Sequence, residues 1–252
     1  MLGYYSKLST EGYGVDKPIG SSFGDVEFYM ERLDGVTGRI LEPATGTGRM
    51  LVPLLEHEFA VDGFDSSPHM LEMCKKNCEE RGLRPHLFEA DMETFLLDTE
   101  YEAIIIPAGT FLLLHERDAS LRALTNFHRH LKPGGKLIVD LYLPTDNEVG
   151  HSTLRSWEIE DGEVITLETT INEIDHINQF SVSHHRYERW KRGNLLDTEL
   201  ERFAMRWYGV EEFRTILENY GFGDIVISAD YAYGKYPENP QQSITFEAVA
   251  EK

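Results

Sequence analysis

The alternation of short apolar segments with helical patterns between residues 38 and 143 constrains the fold of this chain more than any other feature. The apolar segments have the length of strands and cover residues 40–41, 60–65, 86–88, 103–106 and 137–141. The stretches with helical spacing cover residues 49–58, 68–81 and 117–131. The sequence 132–135, Lys-Pro-Gly-Gly, is expected to stop the last helix and turn the chain into the next strand. Apolar strands that alternate with helices predict a parallel sheet covered on both faces.

A second pattern begins near residue 152 and continues to about residue 206. Apolar and polar residues alternate with period two over residues 163–172, 180–190 and 198–207, and the pairs Asp161-Gly162 and Arg192-Gly193 are typical of hairpin turns. The sequence therefore predicts four antiparallel strands inserted after the fifth strand of the parallel sheet.

The two ends of the chain complete this organisation. A helix over residues 25–33 precedes the first strand, and a helix ending at Gly221 and two strands, 225–228 and 244–250, follow the insert. The predicted parts are a leader (1–36), a core (37–150 with 207–252) and an antiparallel insert (151–206).

The net charge limits the partners. With 24 Lys and Arg against 44 Asp and Glu the formal charge is −20, and protonating all 10 His would leave −10. Such a surface repels phosphate polymers, so nucleic acid is not an expected partner.

The sequence also indicates where the protein resides. No apolar run approaches the roughly 20 residues of a membrane span, and a secretory signal is not expected. Two cysteines, Cys74 and Cys78, are too few for a disulfide framework, which favours the cytoplasm; no metal site is expected.

Acidic residues and glycines follow the predicted strands in a fixed order. Glu42 ends the first strand, and Gly46 and Gly48 in the next turn allow a ligand to approach the backbone closely. Asp65 ends the second strand, 19 positions after Gly46, where a carboxylate accepts hydrogen bonds from a ribose diol. Asp91 follows the third strand. Ligands bind at this edge of an open parallel sheet, so a nucleotide site is predicted there.

Two kinds of nucleotide site are compatible with a glycine turn. A dinucleotide site requires a third glycine three residues after Gly48, and Leu51 stands there. The complete ordered set instead resembles the class I S-adenosylmethionine-dependent methyltransferases. Residues 42–49 resemble their first motif, Asp65 the acidic residue of their second, and Asp91-Met92 the adenine-contacting pair of their third. Residues 131–135 resemble their entry to strand five.

The resemblance implies a fold, a cofactor and its contacts. The fold is a seven-stranded, mostly parallel, Rossmann-like sheet with helices on both faces, plus the antiparallel insert. The cofactor is S-adenosyl-L-methionine, with S-adenosyl-L-homocysteine as product. Its expected contacts are Tyr13, Glu42, Ala44, Thr45, Gly46, Thr47, Gly48, Arg49, Asp65, Ser66, Met70, Asp91, Met92, Pro107, Ala108 and Phe111. β-Branched Thr45 is expected to fit its turn poorly, and an apolar strand end packed on the core is the alternative for the last three residues.

The acceptor is less constrained than the cofactor. Methyl transfer needs a base only when the acceptor is protonated, so the catalytic candidates are chosen by type alone; they are Tyr5, His115, His184, His185 and Tyr187. Aromatic residues outside the core either pack a sheet or roof a substrate pocket: Tyr4, Tyr5, Tyr13, Trp157, Tyr187, Trp190, Trp207 and Tyr208. The leader either closes over the cofactor as a lid, as the resemblance implies, or packs on the sheet.

The function implied is methyl transfer to nitrogen or oxygen of a small molecule, by similarity to small-molecule N-methyltransferases that include enzymes dimethylating amino sugars. An RNA or protein methyltransferase, and a non-catalytic cofactor-binding homologue, are the alternatives. The sequence leaves open whether the protein forms a homodimer.

Overall fold

The computed structural model describes residues 5–145 and 148–251. Tyr4, one of the rings expected over the substrate pocket, lies outside these ranges. The described helices are α1 (Lys7–Asp16), α2 (Asp25–Arg32), α3 (Leu51–Glu56), α4 (Pro68–Glu79), α5 (Arg117–His130) and α6 (Val210–Asn219). Within the described ranges, no helix has the length and apolar character that crossing a membrane requires.

The strands form two separate sheets. They are β1 (Arg39–Pro43), β2 (Ala60–Asp65), β3 (Leu87–Glu89), β4 (Tyr101–Ile106), β5 (Leu131–Leu141), β6 (Ser152–Glu158), β7 (Glu163–Asp175), β8 (Phe180–Lys191), β9 (Asn194–Arg206), β10 (Phe222–Ala229) and β11 (Ile244–Ala250). The seven-stranded sheet has the order β10-β11-β5-β4-β1-β2-β3. β11 runs antiparallel to both of its neighbours, β10 and β5, and the other described strands of this sheet share one direction. The predicted mostly parallel sheet is therefore confirmed.

Helices cover both faces of this sheet, because its strands are apolar on both sides. Phe127 of α5 and Phe213 of α6 pack with Ile104 and Leu137 on one face. On the other face, residues of α2, α3 and α4 pack together with Ile105. Because β1, β2 and β4 run parallel, their carboxyl ends lie at one edge of the sheet.

The insert forms its own four-stranded sheet in the order β6-β7-β8-β9, as the alternating pattern predicts. Two of its three hairpin turns are those identified in the sequence, and the third, residues 176–179 between β7 and β8, was not identified. Asp161 and Gly162 have φ of 59° and 69°, and Arg192 and Gly193 have φ of 49° and 78°. Asp and Gly tolerate this left-handed conformation, which matches the twist of the paired strands.

Helix α1 was not predicted from the sequence. Its two glycines, Gly12 and Gly14, weaken the helical pattern, since glycine is a poor helix former. The helix forms because it packs against the insert, where buried Leu8 contacts Ile165, Leu167 and Tyr187. It is therefore tertiary packing that stabilises α1.

Residues 132–135 directly follow the end of α5, as expected, but they lie within the bounds of β5 instead of before it. Helix α5 ends at His130, and β5 begins at once with Leu131 and continues through the two glycines. The pairing of β4 with β5 shifts register between Tyr101 and Ala103, which absorbs the irregular backbone.

A buried ion pair joins the leader to the core. Arg49, which begins the helical turn after the glycines, contacts Asp25 at the start of α2 with 2.5 Å between Nη2 and Oδ2. Their side chains are 4% and 1% exposed. Burial alone would raise the pKa of Asp25, but the guanidinium of Arg49 and two backbone amides hold it below its usual value. Arg49 therefore ties α2 to the turn.

Breaking this pair is expected to destabilise the protein strongly. Asp25→Asn removes the partner of a buried guanidinium, and an uncompensated buried charge costs about 3–5 kcal/mol. Urea denaturation should show a correspondingly lower free energy of unfolding. Glu80→Gln, which breaks the exposed Lys76–Glu80 pair, is the matched control and should change it by less than about 0.5 kcal/mol. Equal effects of the two substitutions would contradict the structural role of the buried pair.

Candidate active site

The turn after β1 uses its two glycines for different purposes. Gly46 has φ of 57°, and a Cβ there would meet nothing within 4 Å, so its backbone faces open space. Gly48 has φ of 88°, and a Cβ there would lie 2.9 Å from Cys74 Sγ of α4. Gly46 thus leaves room for a ligand, whereas Gly48 allows the turn to pack on α4.

Thr45 does not strain the turn, contrary to expectation. The left-handed residue before Gly46 is Ala44, with φ of 52°. Thr45 Oγ1 donates a hydrogen bond to Glu42 Oε2 at 3.2 Å. The threonine hydroxyl thereby satisfies a buried carboxyl group beneath the turn.

The carboxylate of Asp65 joins two turns. Oδ2 accepts a hydrogen bond from Gly46 N and Oδ1 accepts one from Ser67 N, both at 2.8 Å. Burial raises the pKa of Asp65, and backbone hydrogen bonds oppose that shift. A carboxylate has about four acceptor positions, so each oxygen of Asp65 can accept another hydrogen bond from a ligand.

Glu42 lies buried under the same turn, 3% exposed. Burial raises its pKa to about 8, although Arg49 and the hydroxyl of Thr45 act in the opposite direction. Glu42 is therefore largely protonated at neutral pH until a cation approaches it.

A cavity of about 280 Å³ opens at the carboxyl edge of the sheet. Eight expected cofactor contacts and two catalytic candidates share it. The residues that line it are Tyr5, Tyr13, Ala44, Gly46, Phe64, Asp65, Ser66, Met70, Ala90, Asp91, Met92, Glu93, Thr110, Leu113, Leu114, His115, Glu116 and Ala119. We call it the edge cavity. Burial and the nearby guanidinium groups of Arg202 and Arg206 lower the pKa of His115.

Eight other expected contacts do not line the edge cavity. They are Glu42, Thr45, Thr47, Gly48 and Arg49, which build or support the turn, and Pro107, Ala108 and Phe111 after β4. Phe111 is fully buried and packs on Phe213 with 5.5 Å between ring centroids. For Phe111 the structure agrees with the alternative, packing on the core, because a large apolar ring gains more from burial there.

A second cavity, of about 160 Å³, lies between α1 and the insert. We call it the insert cavity. It combines aromatic rings with charged groups, and its lining is Tyr5, Gly12, Tyr13, Asp16, Lys17, Arg155, Trp157, Leu167, His185, Tyr187, Glu201 and Phe203. Tyr5 and Tyr13 line both cavities, with ring centroids 6.1 Å apart and the rings edge to face. The two cavities therefore meet at these tyrosines.

The polar groups of the insert cavity are already engaged within the protein. Asp16 accepts hydrogen bonds from Arg155 and from Trp157 Nε1. His185 stacks on Phe203 with 4.4 Å between ring centroids, and burial lowers its pKa to about 4. Neutral rings and internally paired charges thus form part of the walls, together with Lys17, which lies over the ring of Tyr13.

The structure separates the catalytic candidates. Tyr5 lines both cavities, His115 the edge cavity and Tyr187 the insert cavity. His184 is exposed and lines neither, because neighbouring strand residues point to opposite faces and His185 takes the inner one. Among the aromatic residues expected over the pocket, Trp190 and Trp207 line neither cavity, and Tyr208 packs in the core.

Several lining residues were missed from the sequence. Asp16 is the last residue of α1 and Lys17 follows it directly. Because α1 has no clear helical pattern, nothing in the sequence directed attention to them. Glu201 and Phe203 are two positions apart on β9, so both point to the face that lines the insert cavity. The period-two pattern could have identified them, had the direction of the inner face been known.

Residues 40–135 match a protein family described as a methyltransferase domain. YqeM of Bacillus subtilis (strain 168), whose own methyltransferase assignment is provisional, is 26% identical over 224 residues, 85% of each chain. A glycine/sarcosine N-methyltransferase of Halorhodospira halochloris is 35% identical over 118 residues, 45% of this chain and 44% of that one.

Solved structures share the whole architecture. A S-adenosylmethionine-dependent methyltransferase from Clostridium acetobutylicum ATCC 824 superposes with a TM-score of 0.77 at 17% identity, over 99% of this chain and 100% of that one. The sugar N-methyltransferase KedS8 from Streptoalloteichus sp ATCC 53650 gives 0.76 at 21% identity, over 100% and 96%. The insert is therefore part of a fold shared along the full chain.

Replacing the buried carboxyl group is expected to change the pH dependence of stability. Glu42 binds its proton more tightly in the folded protein, so its stabilising contribution is complete below about pH 4.5 and is lost as the pH rises through about 8. In the ligand-free protein, Glu42→Gln should stay close to the parent near pH 5 and exceed its melting temperature by about 8–15 °C near pH 8.5. Exposed Glu79→Gln serves as control. A constant difference across this pH range would refute the assignment.

Proposed function

We propose that this chain is a class I S-adenosylmethionine-dependent methyltransferase whose acceptor is the nitrogen of a small-molecule amine. The observation that carries the proposal is the meeting of the edge cavity with the insert cavity at Tyr5 and Tyr13. One cavity would hold the cofactor and the other the acceptor.

The lining of the edge cavity fits the cofactor. In our proposal the free acceptor positions of Asp65 bind the ribose hydroxyls, and Asp91 with Met92 binds the adenine. The open backbone at Gly46 admits the methionine end, whose ammonium group would favour the ionised form of Glu42. S-adenosylmethionine supplies a methyl group already activated as a sulfonium. This chain therefore has to align the acceptor with the methyl group, exclude water from the site and stabilise the positive charge of the cofactor.

The insert cavity supports a small acceptor, or the reacting end of a larger one. Its volume of about 160 Å³ is close to that of a cavity that holds one benzene ring, roughly 150 Å³. Aromatic faces such as those of Tyr13 and Trp157 attract cations, as their contacts with Lys17 and Arg155 illustrate. Rings of this kind suit an amine better than an anionic group.

The titratable groups of the insert cavity favour nitrogen over oxygen. Transfer to a hydroxyl needs a base, but the lowered pKa of His185 makes it a weak one, and burial raises the pKa of Tyr5 and Tyr187 so that their phenols stay protonated. An amine provides its own lone pair once its ammonium proton has passed to water. Alignment alone then suffices.

Further observations support nitrogen as the acceptor atom, the exclusion of RNA and a cytoplasmic location. The glycine/sarcosine and sugar N-methyltransferases are both named for transfer to nitrogen. The formal charge of −20 disfavours RNA as acceptor. The free, buried thiols of Cys74 and Cys78 agree with a reducing cytoplasm. The division into leader, core and insert, with the leader as a lid, stays a prediction.

Calorimetry and turnover separate the proposed function from its alternatives. The protein should bind S-adenosylhomocysteine and should methylate members of a panel of small amines, with phenols, RNA and protein substrates inactive. Turnover of phenols alone would contradict nitrogen as the acceptor. Cofactor binding without any turnover would support the non-catalytic alternative.

Asp65 is expected to contribute strongly to cofactor binding. Asp65→Ala removes charge-assisted hydrogen bonds worth about 1.5–3 kcal/mol each, so affinity for S-adenosylhomocysteine should fall at least about tenfold. The control Asp98→Ala replaces an exposed carboxylate outside both cavities and should bind like the parent. Parent-like binding by folded Asp65→Ala, verified by circular dichroism, would refute the ribose assignment.

A further inference from the structure

Two carboxylates of the insert cap the first turn of α1. Glu201 Oε1 lies 2.8 Å from Ser6 N, 2.7 Å from Ser6 Oγ and 2.6 Å from Ser9 Oγ. Glu199 Oε2 lies 2.7 Å from Leu8 N and 2.5 Å from Ser6 Oγ. The first N–H groups of a helix have no partner inside the helix and carry partial positive charge, so carboxylates are favourable there.

The two carboxylates depend on α1 for their own stability. Both contact the hydroxyl of Ser6, so their charges are close together, and Glu201 is only 2% exposed. Like charges at this separation repel each other unless donors lie between them. The N-terminus of α1 provides these donors, which makes its docked position the favourable one for β9 as well.

A chain of hydrogen bonds continues from this cap to the cofactor side. Tyr5, directly before the cap, has φ of 55°, a strained conformation for a residue with a bulky side chain. Its carbonyl accepts a hydrogen bond from Ser67 Oγ at 2.7 Å. Ser67 N in turn donates to Asp65 Oδ1 at 2.8 Å. The insert is thus connected to Asp65 through the backbone of Tyr5.

We infer that Glu199 and Glu201 are positioning residues, which hold Tyr5 at the junction of the two cavities and so couple the insert to cofactor binding. They act through Ser6, Tyr5 and Ser67. The inference rests on the proposed function in one respect, namely that Asp65 contributes to cofactor binding. It assigns to the insert, beyond enclosing the acceptor, a part in setting the affinity for the cofactor.

Glu199 is the residue with which to test this inference, because it lines neither the edge cavity nor the insert cavity. Glu199→Gln removes the charge that faces Ser6 and Leu8. Affinity for S-adenosylhomocysteine, measured by calorimetry, should fall about fivefold or more. Glu173→Gln, an exposed carboxylate of the same sheet, should leave the affinity within about twofold of the parent.

A double-mutant cycle distinguishes positioning from a general loss of stability. Ser67→Ala removes the hydroxyl that contacts the Tyr5 carbonyl while keeping the N–H that donates to Asp65. In that background Glu199→Gln should have little further effect on affinity, because the connection is already interrupted. Additive losses, or parent-like binding by folded Glu199→Gln, would overturn the inference.

Proteolysis gives a second measurement should affinity and folding change together. With S-adenosylhomocysteine saturating, Glu199→Gln should be cleaved within residues 5–16 at least several times faster than the Glu173→Gln control, with later sites unchanged. Equal cleavage rates would overturn the inference. Failure of the parent itself to bind S-adenosylhomocysteine would be a failure of the proposed function, recognisable before any variant is compared.

Discussion

The hydrogen bonds of Asp65 to Gly46 and Ser67 are the contacts on which the site depends. One carboxylate holds the glycine turn after β1 and the start of α4 in a fixed relation, although the two segments are about 20 residues apart. The turn needs this restraint because Ala44 and Gly46 both have left-handed backbones. Without these two hydrogen bonds, the backbone of Gly46 beneath the open space would not be held in place. Ser67 would also not be positioned to donate its hydroxyl to the carbonyl of Tyr5.

Around this carboxylate the protein separates two tasks. The parallel sheet brings strand ends together, and the edge cavity forms where β1, β2 and β3 end. The insert and α1 form a second layer, held to each other by Leu8 in its apolar cluster and by the pairs Arg155–Asp16 and Arg189–Glu11. The cluster around Leu8 is separate from the two apolar clusters of the central sheet.

Electrostatics favour cationic ligands at this edge of the molecule. Glu42, Asp65 and Asp91 lie at or beneath the edge cavity, and the chain as a whole carries a formal charge of −20. Burial raises the pKa of Glu42 to about 8, so this carboxyl group is protonated and neutral at neutral pH. An approaching sulfonium or ammonium group would stabilise the ionised form, which agrees with the cationic cofactor and the amine acceptor of the proposed function.

The sequence by itself determined the class of fold, the separate insert and the edge of the sheet at which the edge cavity lies. These depend on local physics: apolar runs of strand length, period-two alternation, turns such as Asp161-Gly162, and acidic residues such as Asp65 and Asp91 at strand ends. Only the tertiary structure decided which way each of these side chains faces. Arg49 does not line the edge cavity because burial beside Asp25 gives it a partner, and Phe111 does not because the core accepts its ring. The catalytic candidate His184 lines neither cavity because the inner face of β8 falls on His185. Helix α1, whose glycines hide its pattern, exists through contacts with residues more than 150 positions away. Such choices follow from long-range burial and pairing, which no local window of residues contains.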